Sequence, residues 1–169
     1  MFRTERCIVR RMKPEDWHDL FAILSDEKVM RYIEQPFSEK QTKQFIEEAG
    51  MNDPPLVYAI VYEENQRLIG HLIFHPYEED AYEIGWILHR NYWGRRIATE
   101  LTQAAVEYAK EKGIPKLLIQ CSPEQKSTIA IAQKFGFERI GVEGIWCFEK
   151  TLDYDDEVKP NFVKRSLEK

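Results

Sequence analysis

The sequence predicts a mixed α/β domain, a sheet with helices packed on it. Three observations carry that reading. The middle of the chain holds three consecutive β-rich segments, 56–62, 67–75 and 81–88, joined by short turns, which is the pattern of a meander. From residue 95 onward, helical periodicity alternates with short apolar runs, which is the pattern of a βαβ crossover. A length of 169 residues suits one domain and buries enough apolar surface to need no disulfide or metal staple.

The elements follow in order. "CIVRRM" (7–12) alternates and is β-rich, so it is a strand. Pro14, Glu15 and Asp16 open a helix, because proline tolerates the first helical position and acids suit the positive end of the dipole. Trp17, Leu20, Phe21 and Leu24 form its apolar stripe. Asp26 caps a short helix to Ile33, and Ser38 with Gln41 makes a capping box for a helix to about Ala49. After the meander, 95–113 reads as a long helix with Ile97, Leu101, Ala104, Ala105, Tyr108 and Ala109 on one face and Gly113 to stop it. "KLLIQC" (116–121) is a buried strand, 123–136 a helix ending at Gly136, and 144–152 the last strand. The predicted organisation is one domain over 1–152 and a polar tail over 153–169.

Composition narrows the function classes. A net charge of -5 argues against a nucleic-acid partner, which requires a basic face. Three cysteines without close spacing read as reduced thiols, no apolar signal core opens the chain, and no apolar run reaches membrane-spanning length. The expectation is a cytoplasmic protein with no membrane partner. Cys121, ending an apolar strand, reads as a small buried hydrophobe. His71 and His75 share a strand face, but no third ligand has a recognisable spacing, so no metal is expected. Tyr32, Tyr77 and Trp86 suit either a cleft wall or core packing.

One stretch stands out. In "NYWGRRIATE" (91–100), Arg95 and Arg96 sit where a helix begins, and cations there oppose the macrodipole at roughly 0.3–1 kcal/mol each. Either both side chains bend into water, or an anion docks on the helix end. A strand leading through a short glycine-containing loop into a long helix aims free backbone N–H groups at such an anion, and Gly94 lets it come close.

"AYEIGWILHRNYWGRRIATELTQAAVEYA", followed by "CSPEQKSTIAIAQKFGFERIG", resembles the central half of a GNAT-superfamily N-acetyltransferase. It is most similar to the branch containing the ribosomal-protein alanine N-acetyltransferases. "TERCIVRRMKPEDW" and "LFAILSDEKVMRYI" resemble the start of that branch, so the similarity covers roughly residues 3–150. It implies a GNAT fold: a twisted, mixed, mainly antiparallel sheet of about six to seven strands, split by the cofactor and flanked by helices. It also implies acetyl-CoA as co-substrate, without metal, and transfer to an amine acceptor, either a protein N-terminus or a small amine.

The resemblance assigns residues as well. The family's Q/R-x-x-G-x-G/A pyrophosphate loop maps onto residues 91–96, where Gly94 matches, Asn91 replaces Gln/Arg and Arg96 replaces a small residue. The backbone of Gly94, Arg95, Arg96, Ile97, Ala98 and Thr99 would hold the pyrophosphate, and that of Trp86, Ile87 and Leu88 the pantetheine arm. Glu83 would be the general base, needed because an alkyl amine is mostly protonated at neutral pH; such catalysis is typically worth about 10²–10⁴ in rate. Gln125 stands where the branch has asparagine near the cofactor. Thr128, with Ser127 as second candidate, would protonate the leaving thiolate. The departures at Asn91, Arg96 and Gln125 keep an alternative open, a CoA-binding regulatory module without turnover.

Overall fold

The computed structural model describes residues 1–141 and 144–153. Eight strands form one sheet in the order β1-β2-β3-β4-β5-β6-β8-β7. They are β1 (Phe2–Arg3), β2 (Cys7–Arg10), β3 (Val57–Tyr62), β4 (Arg67–Glu78), β5 (Ala81–Leu88), β6 (Lys116–Cys121), β7 (Glu138–Ile140) and β8 (Trp146–Thr151). Neighbours pair antiparallel except β5 with β6, which run parallel because α4 crosses over between them. The helices are α1 (Trp17–Leu24), α2 (Glu27–Met30), α3 (Glu39–Phe45), α4 (Ile97–Glu111) and α5 (Lys126–Lys134).

Strand alternation divides the core between the two faces of the sheet. Ile60, Leu72, Ile84 and Phe148 pack with Leu101 and Ala105 of α4 and Ala132 of α5. Ala59 and Val57 pack on the other face with Leu20, Ile23, Met30 and Ile46, joined by the half-buried Ile73 and Ile87. Burying a leucine such as Leu101 completely contributes roughly 1.5–3 kcal/mol.

The mixed, mainly antiparallel sheet agrees with the sequence reading, with two more strands than the six segments picked out. Both extra strands are short edge elements, β1 of two residues and β7 of three. The capping box at Ser38 is present, its hydroxyl accepting from the N–H of Gln41. Other ends shift for local reasons. α2 stops at Met30, and α3 passes at Ile46 into a wider π-helical turn to Gly50, whose Cα packs against Met12. α4 starts at Ile97, two residues late, because Arg96 is left-handed (φ 60°). Gly136 (φ 75°) ends α5, and Phe137 enters the core. The predicted tail lies, from residue 154, outside the described residues.

Candidate active site

The sheet opens beside β5. The β5–β6 ladder runs from Ala81–Lys116 to Glu83–Leu118 and stops there. Beyond it, β5 continues to Leu88 without a strand on that side. The N–H of His89 bonds to Ile69 on β4, so by strand alternation the polar groups of Trp86 and Leu88 point the other way, into the gap. The carbonyl of Leu88 accepts the indole N–H of Trp93 at 2.9 Å. The N–H and C=O of Trp86 and the N–H of Leu88 thus line the opening without a ladder partner.

A cleft of about 860 Å³ occupies this gap and continues to the start of α4. There α4 is bare. Its first helical hydrogen bond runs from the N–H of Glu100 to the carbonyl of Arg96, and the Arg96 side chain makes no cap. Among the described residues, no N–H from Gly94 to Thr99 has a partner, and these are the donors a helix N-terminus offers to an anion. Gly94 (φ 70°) has nothing within 4 Å of where a Cβ would stand, so the loop is open to a ligand. Lys28, Arg31, Arg96 and Lys126 line the cleft against one carboxylate, Glu124. In a chain of net charge -5, that concentration of cations suits an anionic ligand.

The loop leading into α4 is held from outside the cleft. The Arg95 guanidinium lies over the rings of Tyr62 and Tyr92 and donates to the Tyr62 hydroxyl at 2.9 Å. Arg6 donates to the Arg95 carbonyl at 2.9 Å and, from both its backbone N–H and its guanidinium, to the Glu100 carboxylate at 2.8 Å. Arg90 pairs with Asp26, which also caps α2, and so ties α2 to the loop.

Trp86, Ile87, Leu88, Gly94, Arg96, Ile97, Ala98, Thr99, Gln125, Ser127 and Thr128 all border the cleft. Ser127 is exposed and Thr128 half-buried in the first turn of α5. Gln125 accepts from the Ser122 N–H at 2.8 Å, which fixes the turn and delays the helix start to Lys126. Two expected residues sit elsewhere. Arg95 is not on the cleft wall; its side chain is the aromatic anchor just described. Glu83 is not on that wall either. It shares the α1–α3 side of the sheet with Gly85 and Ile87, at the last rung before the gap.

The structure adds groups that sequence reasoning passed over. His75 Nε2 lies 3.3 Å from Glu83 Oε2, and its Nδ1 lies 2.8 Å from the Pro76 carbonyl. The hydrogen bond to Glu83 raises the His75 pKa against the opposing effect of burial. Lys28, Arg31 and Ile33 join the cleft from α2 and its exit, beside the half-exposed Tyr32. The antiparallel register of β4 and β5, with His75 opposite Glu83, was the signal that links the two. His71, by contrast, is fully buried beside Phe45, its Nδ1 without a partner, and burial pushes its pKa down to about 4. Among the described residues, no group of three or more His, Cys, Asp or Glu could hold a metal ion, and no helix is long and apolar enough to cross a membrane.

A splayed sheet whose gap meets a bare helix N-terminus and four cationic side chains is a cleft suited to an elongated, anionic ligand. Residues 6–138 match the family model of the acetyltransferase (GNAT) domain. The chain is 32% identical over 159 residues to YnaD, an uncharacterized N-acetyltransferase of Bacillus subtilis (strain 168), covering 91% of each. It is similar to a solved GNAT-family acetyltransferase from Bacillus anthracis, with a TM-score of 0.78 and 27% identity over 89% of this chain and 96% of the other. It shares its fold, at a TM-score of 0.78 and 18% identity over 90% of this chain and 97% of the other, with RimL, a ribosomal alpha-N-protein acetyltransferase solved in complex with coenzyme A. The chain belongs to the GNAT acetyltransferase family and is an acetyl-CoA-dependent acetyltransferase.

Proposed function

We propose that the protein moves acetyl from acetyl-CoA to a primary amine by direct attack, within the cleft beside β5. The observation that carries this reading is the coincidence, in one cleft, of unpaired β5 backbone and the uncapped start of α4. Bound acetyl-CoA supplies the acetyl group activated as a thioester. The N–H groups of Gly94 to Thr99 hold its diphosphate, and the Arg96 guanidinium adds a charge-assisted contact. The polar groups of Trp86 and the N–H of Leu88 complete a ladder with the pantetheine amides. RimL, of the same fold, was solved with coenzyme A, which supports CoA as the ligand of this fold.

Glu83 takes the proton from the attacking amine, directly or through a water, and Thr128 or Ser127 donates one to the departing thiolate. Both roles rest on position: Glu83 stands at the mouth of the gap, and the two hydroxyls stand on the cleft wall. The acceptor is a protein N-terminus or a small amine.

The test joins calorimetric CoA binding to release of free thiol from acetyl-CoA over a panel of peptides with free N-termini, polyamines and aminoglycosides. The expected result is saturable binding, thiol release with at least one class, and a Glu83→Gln turnover at least about tenfold lower with CoA affinity little changed. Wild-type turnover in that variant removes Glu83 as the base. Binding without release on any acceptor favours a CoA-binding module instead.

A further inference from the structure

The pairing of Glu83 with His75 goes beyond a single carboxylate. The Pro76 carbonyl can only accept a hydrogen bond, so the contact at 2.8 Å places a proton on His75 Nδ1. In the neutral ring, Nε2 then carries a lone pair, and it faces Glu83 Oε2 at 3.3 Å. Two acceptors at that separation repel unless a proton lies between them. The pair therefore has a place for one proton that neither group has alone. Both side chains are mostly buried, 23% exposed for His75 and 18% for Glu83, so solvent screens the arrangement only in part.

The surroundings are fixed by the sheet. His75 and Glu83 sit opposite each other on β4 and β5. Glu78 on β4 and Cys147 and Glu149 on β8 belong to the same electrostatic neighbourhood as Glu83, and Lys116 on β6 lies against Glu149. Lys116 is turned to Asp80 at 3.4 Å and Glu149 at 4.0 Å. Burial raises the Cys147 thiol, helped by Glu149, Glu78 and Glu83, so it stays protonated and does not compete. His71, four residues back on the same strand face, is buried, and burial holds it neutral.

A lone glutamate, with an ordinary pKa near 4.3, is a weak proton acceptor at neutral pH, whereas the most effective base has a pKa near the working pH. We propose that His75 is a positioning residue that makes Glu83 and itself one proton-accepting unit. The proton leaves the amine nitrogen as the C–N bond forms and the C–S bond breaks. It passes to Glu83 and comes to rest between Oε2 and His75 Nε2, while the thiolate takes a separate proton from a cleft-wall hydroxyl that solvent then re-protonates. The unit then returns its proton to solvent. This inference rests on Glu83 as the base, as proposed above.

Two measurements test it, both on the full chain. In an NMR titration of the imidazole carbons, with the His75 signal identified by its loss in His75→Gln, the wild-type midpoint lies above the ordinary histidine value. In Glu83→Gln it falls by about one pH unit, the lower end expected for loss of an adjacent carboxylate. An unchanged midpoint overturns the inference. In parallel, kcat/KM is followed against pH with the best acceptor of the panel. His75→Gln moves the acidic limb down by at least about one unit and lowers the neutral-pH rate about tenfold. An unmoved limb in His75→Gln, with Glu83→Gln inactive, sinks this inference and leaves the Glu83 assignment standing. Wild-type turnover in Glu83→Gln sinks both.

Discussion

Arg96 holds the N-cap of α4, just before Ile97, in a left-handed conformation, φ 60° and ψ 19°. That conformation costs a residue with a Cβ roughly 1–2 kcal/mol, and glycine avoids the cost. It also explains why the GNAT resemblance expects a small residue there. The arginine lines the cleft beside the bare N–H groups, where an anionic ligand makes its charge complementary. Arg96→Gly should therefore leave stability equal or higher and weaken CoA about tenfold, with a shallower salt dependence, since a charged hydrogen bond is worth about 1.5–3 kcal/mol. Calorimetry at two salt concentrations checks this; unchanged or tighter binding means the side chain is only tolerated. Its neighbour has another task. Arg95 spends its charge on Tyr62 and Tyr92, which the sequence did not reveal because Tyr62, from β3, meets the nearby Tyr92 and Arg95 only in the fold.

α4 is aimed by what grips its first turn. The Glu100 carboxylate receives two hydrogen bonds from Arg6, tying the start of the helix to the turn between β1 and β2. Burial tends to raise the Glu100 pKa, but hydrogen bonds from Thr4 and Arg6 and the Arg6 charge outweigh it and hold the carboxyl below its ordinary value. A depressed carboxylate stabilises the fold above its unfolded pKa and loses that contribution as pH falls through the folded value. Glu100→Ala should cost about 1–2 kcal/mol at neutral pH, a fall in Tm of roughly 2–8 °C. The gap from wild type should close in acid, as scanning calorimetry between neutral pH and pH 3 would read; a constant gap contradicts the clasp.

The long elements were legible for a clear reason. The meander, α4 and β6 carry strong periodicity, and the capping box at Ser38 is a local signal. β1 and β7 escaped because two or three edge residues hold no period, and the late start of α5 depends on a Gln125 side chain closing a turn. The cleft wall was legible through its motifs, since eleven of the thirteen residues assigned from sequence border it. Lys28 and Arg31 were missed because α2 reaches the cleft only through the folded path of the chain.

For the whole molecule, the proposed function rests on one interruption. A sheet that pairs β5 with β6 for three residues and then lets them part exposes backbone on one side and the start of α4 beside it. The two apolar cores hold that opening fixed from both faces, with α1–α3 on the side of Glu83 and α4–α5 on the other. The chain carries a net charge of -5, yet the cleft wall gathers Lys28, Arg31, Arg96 and Lys126. The most direct test of this account is a crystal structure of the protein grown with CoA. The account predicts density for the diphosphate against the N–H groups of Gly94 to Thr99 and for the pantetheine arm alongside Trp86 and Leu88. A diphosphate bound elsewhere, with the start of α4 left bare, would contradict it.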